Sequence, residues 1–108
     1  MYEVAPTEVV NVAWSGPAAP AHPRFPIERS LTAAAISTRE IVVSNNVARD
    51  PRYLTALAST GSELIVPIIV EDRVVGTLDV EDERTDAFGD EDRRRFERLA
   101  AEMRPLYD

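Results

Sequence analysis

The sequence predicts an α+β fold, an antiparallel β-sheet flanked by helices, from three observations. Two runs of mostly β-branched residues, Glu63 to Val70 and Arg73 to Glu81, are separated only by Glu71 and Asp72, the pattern of a β-hairpin. Near the C terminus Phe96, Leu99, Ala100 and Met103 recur at the spacing of one apolar helix stripe. Strand patterns stand early and late with short helices between them, not in the alternation that builds a parallel sheet.

In chain order, Tyr2 and Val4 alternate with polar or small neighbours and read as the end of a strand. Ala5-Pro6-Thr7 reads as a turn, and Val10, Val12 and Trp14 fall on one face of a second strand starting at Glu8. No helix pattern precedes these strands. Gly16 to Pro26 holds Pro17, Pro20, Pro23 and Pro26, which predicts an extended loop without a regular element. His22 lies in that loop and reads as a solvated side chain or as a pocket-lining one. Ser30 is a good N-cap before Ala33 to Ala35, predicting a helix from Leu31 to Thr38 with Leu31, Ala35 and Thr38 on one side. Ile41 to Ser44 is a short strand ended by Asn45-Asn46. Asp50-Pro51, an N-cap followed by proline at the first helical position, predicts a helix over 51–58 carrying Tyr53, Leu54 and Leu57.

The first hairpin run is nearly all apolar, as befits a central strand covered on both faces. Pro67 cannot donate a ladder hydrogen bond, so it demands a bulge or a neighbour on one side only. The bulge matters for chemistry. With a two-residue turn and regular pairing, Glu63 lies opposite Val80, on the other face from Asp79. A bulge near Pro67 restores a shared face. An acidic loop from Glu81 to Asp86 then leads to a helix from Asp90 to Met103. Asp90, Glu91 and Asp92 suit its positive N-terminal dipole, and Pro105 ends it.

A chain of 108 residues predicts one domain spanning 1–108. With 44% hydrophobic and 29% charged residues, it has the composition of a soluble globular protein. No apolar run approaches the ~20 residues of a membrane span, so a cytoplasmic location without membrane contact is the default expectation. The net charge of −7 opposes binding to nucleic acid or anionic lipid. The one basic cluster, Arg93-Arg94-Arg95, follows Asp90-Glu91-Asp92 and reads as a salt-bridged helix surface. The absence of cysteine excludes disulfides, thiolate metal sites and thiol catalysis, and no metal or other cofactor is expected.

One resemblance covers nearly the whole chain, from about Tyr2 to Leu106. Ser62-Glu63, an apolar run, Pro67, a second apolar run, a turn, Gly76-Thr77-Leu78-Asp79, then Phe88 and an acidic helix start together resemble the C-terminal half of a GAF domain. The nearest branch is that of the free methionine-R-sulfoxide reductases and their non-enzymatic relatives. The resemblance implies a GAF/PAS-like sheet with helices on its faces, but the helix with which such domains normally start has no counterpart here. Reductase chemistry in that branch needs thiols, and matching segment to segment puts His22, Thr32 and Ala56 at the three cysteine positions. An imidazole, a hydroxyl and a methyl group cannot perform thiolate attack and disulfide resolution, so no enzyme activity of this kind is expected. Glu28, Ser30, Ala33 and Arg39 stand where the family commonly has glycine, which narrows or reshapes the pocket.

What remains is acid. Asp79 and Glu81 stand two apart on one strand and share a face. Glu63 matches a further acid of the methionine-sulfoxide pocket. The three resemble a site for a ligand's ammonium group; the plainer alternative is strand-end carboxylates facing water or an arginine. The candidate ligand-binding set is Glu63, Asp79, Glu81, Ser62, Thr32, Ala56 and His22. Two readings follow. One is a non-catalytic sensory domain that binds a small metabolite, such as an amino acid or another cation. The other is a ligand-free dimerisation module whose pocket is closed by Thr32, Ser30, Ala33 and Leu57. Both expect a homodimer through the C-terminal helix, built around residues 92–107, with Tyr2 and Val4 as further contributors, because one helix cannot cover a sheet of five or six strands.

Overall fold

The structure, a computed structural model, describes residues 1–5, 8–11, 13, 15, 24–26, 31–51 and 60–107. Its elements are β1 (Tyr2–Val4), β2 (Glu8–Asn11), β3 (Arg24–Pro26), α1 (Leu31–Thr38), β4 (Val42–Ser44), β5 (Ser62–Val70), β6 (Arg73–Asp82) and α2 (Asp90–Glu102), with 3₁₀ turns at Val47–Arg49 and Arg104–Tyr107. The strands form one antiparallel sheet in the order β3-β2-β1-β6-β5-β4, the α+β arrangement expected.

The β5–β6 hairpin is the centre of this sheet. Glu71 and Asp72 both take positive φ, 50° and 68°, which is how a two-residue turn matches the right-handed twist of its strands. Pairing starts at Val70↔Arg73, and the register shifts between Ile68 and Ile69, leaving Val75 as the extra residue. Beyond that bulge Glu63 lies opposite Glu81 and Ile65 opposite Asp79. A bulge is thus present, but not at Pro67: its extra residue is Val75 of β6, while Pro67 pairs in regular register with Thr77. The alternative holds, because β4 pairs only with Glu63, Leu64 and Ile65, so Pro67 has a strand on one side alone.

The two faces of the sheet bury separate clusters. On one, Leu64, Val66, Ile68 and Leu78 meet Ala100 of α2, with Phe88, Phe96, Met103 and Tyr107 packed around them. Phe88 and Phe96 touch edge to face, centroids 6.4 Å apart. On the other, α1 sets Leu31 and Ala35 against Ile65 and Val47, while Ile36 covers Tyr2 and Val9. Each fully buried Leu or Ile contributes about 1.5–3 kcal/mol. At the start of α2 the Gly89 N–H donates to the Asp92 carboxylate, satisfying one group that a helix end leaves bare. Arg39 ends α1 with φ 61°, the conformation for which the expected glycine is suited, and its guanidinium donates to the Asp72 carbonyl and carboxylate.

Four expectations need correction. Arg24–Pro26 is a strand within the predicted loop: as an edge strand β3 pairs with β2 alone, so prolines at its borders are tolerated. Thr38 is exposed, its hydroxyl donating to the Ala34 carbonyl. Leu99 stands on the flank of the stripe and is 39% exposed, while Phe96, Ala100 and Met103 face the sheet. Finally α2 stops at Glu102, and the chain continues through Pro105 as a 3₁₀ turn. The helix expected over 51–58, the cap at Ser30 and the side chains of Val12 and Trp14 lie outside the described residues.

Candidate functional site

Strand alternation and the bulge put Glu63, Ile65, Thr77, Asp79 and Glu81 on the α1 side of the sheet. From above, Thr32 in the first turn of α1 donates a hydrogen bond of 3.0 Å to Asp79 Oδ2. From β1, Tyr2 pairs with Thr77, and its ring is buried on the same side, close enough to feel the charges of Asp79, Glu63 and Glu81. The Asn11 side chain hydrogen-bonds the phenol from β2.

The electrostatics follow from this burial. Glu63 is 7% exposed, and its carboxyl is pushed well above the usual range. Loss of water is the main cause, followed by the charges of Asp79 and Glu81, a hydrogen bond with the Glu81 carboxyl and the charge of Asp50. Burial also raises Asp79, against the opposing effects of the Thr77 and Thr32 hydroxyls and the Met1 amino group. The Tyr2 phenol is raised by burial first and by the three carboxylates after it. Two buried atoms of this face lack hydrogen-bond partners: Asp79 Oδ1 and Thr77 Oγ1, the hydroxyl lying near the Asp79 carboxyl but outside hydrogen-bonding geometry.

Of the seven sequence candidates, Glu63, Asp79, Glu81 and Thr32 come together. Ser62 does not join them. As the neighbour of Glu63 on the strand it points to the opposite face, where its buried hydroxyl donates to the Arg84 carbonyl at 2.6 Å. Ala56 and His22 lie outside the described residues. Tyr2, Thr77 and Asn11 were not foreseen here. Their signal would have been the pairing of β1 with β6, which joins residues 75 positions apart (Tyr2↔Thr77). Tyr2 was expected instead at a dimer interface, yet its side chain is buried against Val9 and Ile36; only its carbonyl faces the C-terminal segment, accepting a 2.7 Å hydrogen bond from Tyr107. Among the described residues no group of three His, Cys, Asp or Glu is arranged to hold a metal ion, and no helix is long and apolar enough to cross a membrane.

Comparison with known proteins agrees with this fold. A free methionine-R-sulfoxide reductase of Escherichia coli (strain K12) is 24% identical over 80 residues, 74% of this chain and 48% of that protein, so the chain spans about half the length of this relative. Among solved structures, the type II free methionine-R-sulfoxide reductase of Thermoplasma acidophilum superimposes with a TM-score of 0.91 at 26% identity, covering 98% of this chain and 74% of that one. The free methionine-R-sulfoxide reductase of Neisseria meningitidis, solved with its substrate, gives 0.89 at 26% identity over 98% of this chain and 64% of that one. The GAF domain of an Acinetobacter phosphoenolpyruvate-protein phosphotransferase shares the fold, with a TM-score of 0.82 at 20% identity over 98% of this chain and 66% of that one. This chain has no cysteine to set beside the reductases. The family description "GAF domain" matches residues 2–104, and the protein therefore belongs to the GAF domain family.

Proposed function

We propose that this GAF domain is a non-catalytic sensor that binds a small cationic molecule, such as an amino acid through its ammonium group, on the acidic face beneath α1. The observation that carries this reading is Asp79. One of its oxygens is engaged by Thr32, and the other is buried without a partner beside Glu63 and Glu81. A buried acceptor left unmade costs about 1–3 kcal/mol, which a ligand's N–H group recovers. Binding without turnover accords with a chain that has no thiol. A thermal-shift screen of amino acids, methionine sulfoxide, aliphatic amines and nucleotides tests the reading. Amines are expected to raise the melting temperature and their deaminated analogues to leave it unchanged, with the response lost in Asp79→Asn. If no amine raises it, the ligand-free interaction module is the better description.

The signal is proposed to leave through a homodimer built on α2. Leu99 and Leu106 are exposed at 39% and 69%, and the helix is acidic in its first turn and rich in arginine from Arg93 to Arg98. Two such helices crossing antiparallel about a two-fold axis set acid against base at both ends. Multi-angle light scattering should give twice the 12.0 kDa chain mass at tens of micromolar, and Leu99→Arg should return the monomer. A wild-type monomer at that concentration removes the dimer from the proposal.

A further inference from the structure

A groove of about 470 Å³ runs along the edge of β5, with α2 as its far wall. Its origin is the end of β4, which pairs with Glu63, Leu64 and Ile65. Continued one step further, that register would bring Glu40 opposite Pro67, which has no N–H to offer. The chain is not paired there: it enters from α1 through Arg39, whose φ is 61°. Ile41, Pro67 and Ile69 line the resulting gap and stay half-exposed. The helical wall is basic. Successive residues of a helix stand about 100° apart, so Arg93, Glu97 and Ala101 fall on one flank of the stripe formed by Phe96, Ala100 and Met103, and Leu99 on the other. Arg104, in the turn that follows, completes the flank lining the groove. Neither Arg93 nor Arg104 has a carboxylate at ion-pair distance among the described residues. Arg93 and Glu97 stand four apart with the base first, the weaker order for an ion pair on a helix. Eleven positions at about 1.5 Å each separate Arg93 from Arg104 by roughly 16 Å along the axis, with Glu97 between them.

We propose that this groove docks an extended acidic segment of a partner protein, with two carboxylates about five residues apart, one for Arg93 and one for Arg104. Charge complementarity selects this occupant. The span between the two arginines matches five extended residues, and the stretch facing Glu97 must be uncharged. A chain acidic at every step, such as a nucleic acid, sets like charge against Glu97 and Glu40, on a protein whose net charge is already −7. Pro67 interrupts the edge, so the occupant is held by its side chains rather than as an added strand. The homodimer proposed above is built on Leu99, on the other flank of α2, and leaves this groove open. The docking site is likewise separate from the acidic face under α1, and stands or falls without it.

Fluorescence anisotropy with the labelled peptide acetyl-Asp-Ala-Val-Ser-Ala-Asp-amide, at low ionic strength, tests the proposal. Saturable binding is expected, weakened about tenfold or more by Arg93→Glu and by Arg104→Glu, and strengthened by Glu97→Gln. Arg94→Glu makes the same change of net charge on the exposed outer side of α2 and should leave the affinity unchanged. An Arg94→Glu protein weakened as much as Arg93→Glu would reduce the contact to general attraction between charges and overturn the site. A hexa-aspartate or a hexathymidylate that binds as tightly as the spaced peptide overturns the choice of partner, and absence of saturable binding overturns the proposal outright. Should a variant fail to fold, amide NMR of the unaltered protein titrated with the peptide reads the same contact. Shifts should concentrate at Ile68, Ile69, Ala101 and Arg104, and shifts centred on Leu99 and Leu106 instead would contradict the groove.

Discussion

Replacing Gly76 by alanine is expected to lower the melting temperature by about 10–20 °C. A Cβ built at Gly76 lies 2.4 Å from Tyr107 Oη, 2.5 Å from its Cζ and 2.5 Å from the Tyr2 carbonyl oxygen. No side-chain adjustment relieves the last of these, because it is backbone of the neighbouring strand. Either β1 moves off β6 or Tyr107 leaves its place, giving up its hydrogen bond to Tyr2. Overpacking costs about 1–3 kcal/mol and the lost bond about 0.5–1.5 kcal/mol. A domain of this size loses about 4–8 °C per kcal/mol. Truncating Tyr107 as well, in Gly76→Ala/Tyr107→Ala, should restore only part of the loss. A Gly76→Ala protein that melts like the wild type would show that Tyr107 does not pack over this strand. Tyr107 is itself informative, since burial and the charges of Glu3 and Asp79 push its phenol up to about 12.

The second large effect is a loss of stability as the pH rises. Glu63 and Asp79 both have folded-state pKa values above their ordinary ones. For such groups the unfolded chain ionises first, so the stabilising contribution is complete below ~4 and is lost as pH climbs through the raised folded values. Each unit of displacement is worth about 1.4 kcal/mol, so the melting temperature is expected to fall as the pH is raised above the ordinary carboxylate range. Asp82 acts in the opposite sense. Hydrogen bonds from Arg84 hold it down at about 2, and its small surface contribution disappears only in strong acid. Glu63→Gln should flatten the melting profile between pH 5 and 8 and raise the melting temperature at pH 8. A wild-type profile flat over that range, or a Glu63→Gln protein less stable at pH 8, would contradict the buried acidic face.

Much of this architecture was legible where its cause is local. The hairpin follows from two β-branched runs and a two-residue polar break, and α1 from a run of alanines. The need for a bulge was legible because Glu63 shares a face with Asp79 and Glu81 only if the register shifts, but its place at Val75 of the partner strand was not, since Pro67 itself pairs regularly. Contacts between distant segments were not. Nothing near Tyr2 marks Thr77 as its partner, so the wall of the site formed by Tyr2 and Asn11 stayed hidden. Ser62 entered the candidate set through its motif, although neighbours on a strand point to opposite faces. Leu99 joined the buried stripe on spacing alone, whereas the width of the contact with the sheet decides which flank is covered. A three-residue edge strand such as β3 is too short for its pattern to outweigh the prolines around it.

The shortness of β4 has a consequence for the life of this protein in a crowded solution. Leu64, Ile65, Val66, Ile68, Ile69 and Val70 form a segment of the kind that stacks into fibrils when its edge is open, and among the described residues no strand pairs with that edge beyond Ile65. The ladder to β6 passes through Pro67↔Thr77 without a break, so the missing N–H falls on the open side. An approaching strand finds no donor there, and the register of any stack breaks at each copy. A proline in the middle of the longest aliphatic run thus guards the domain against polymerising through its own sheet.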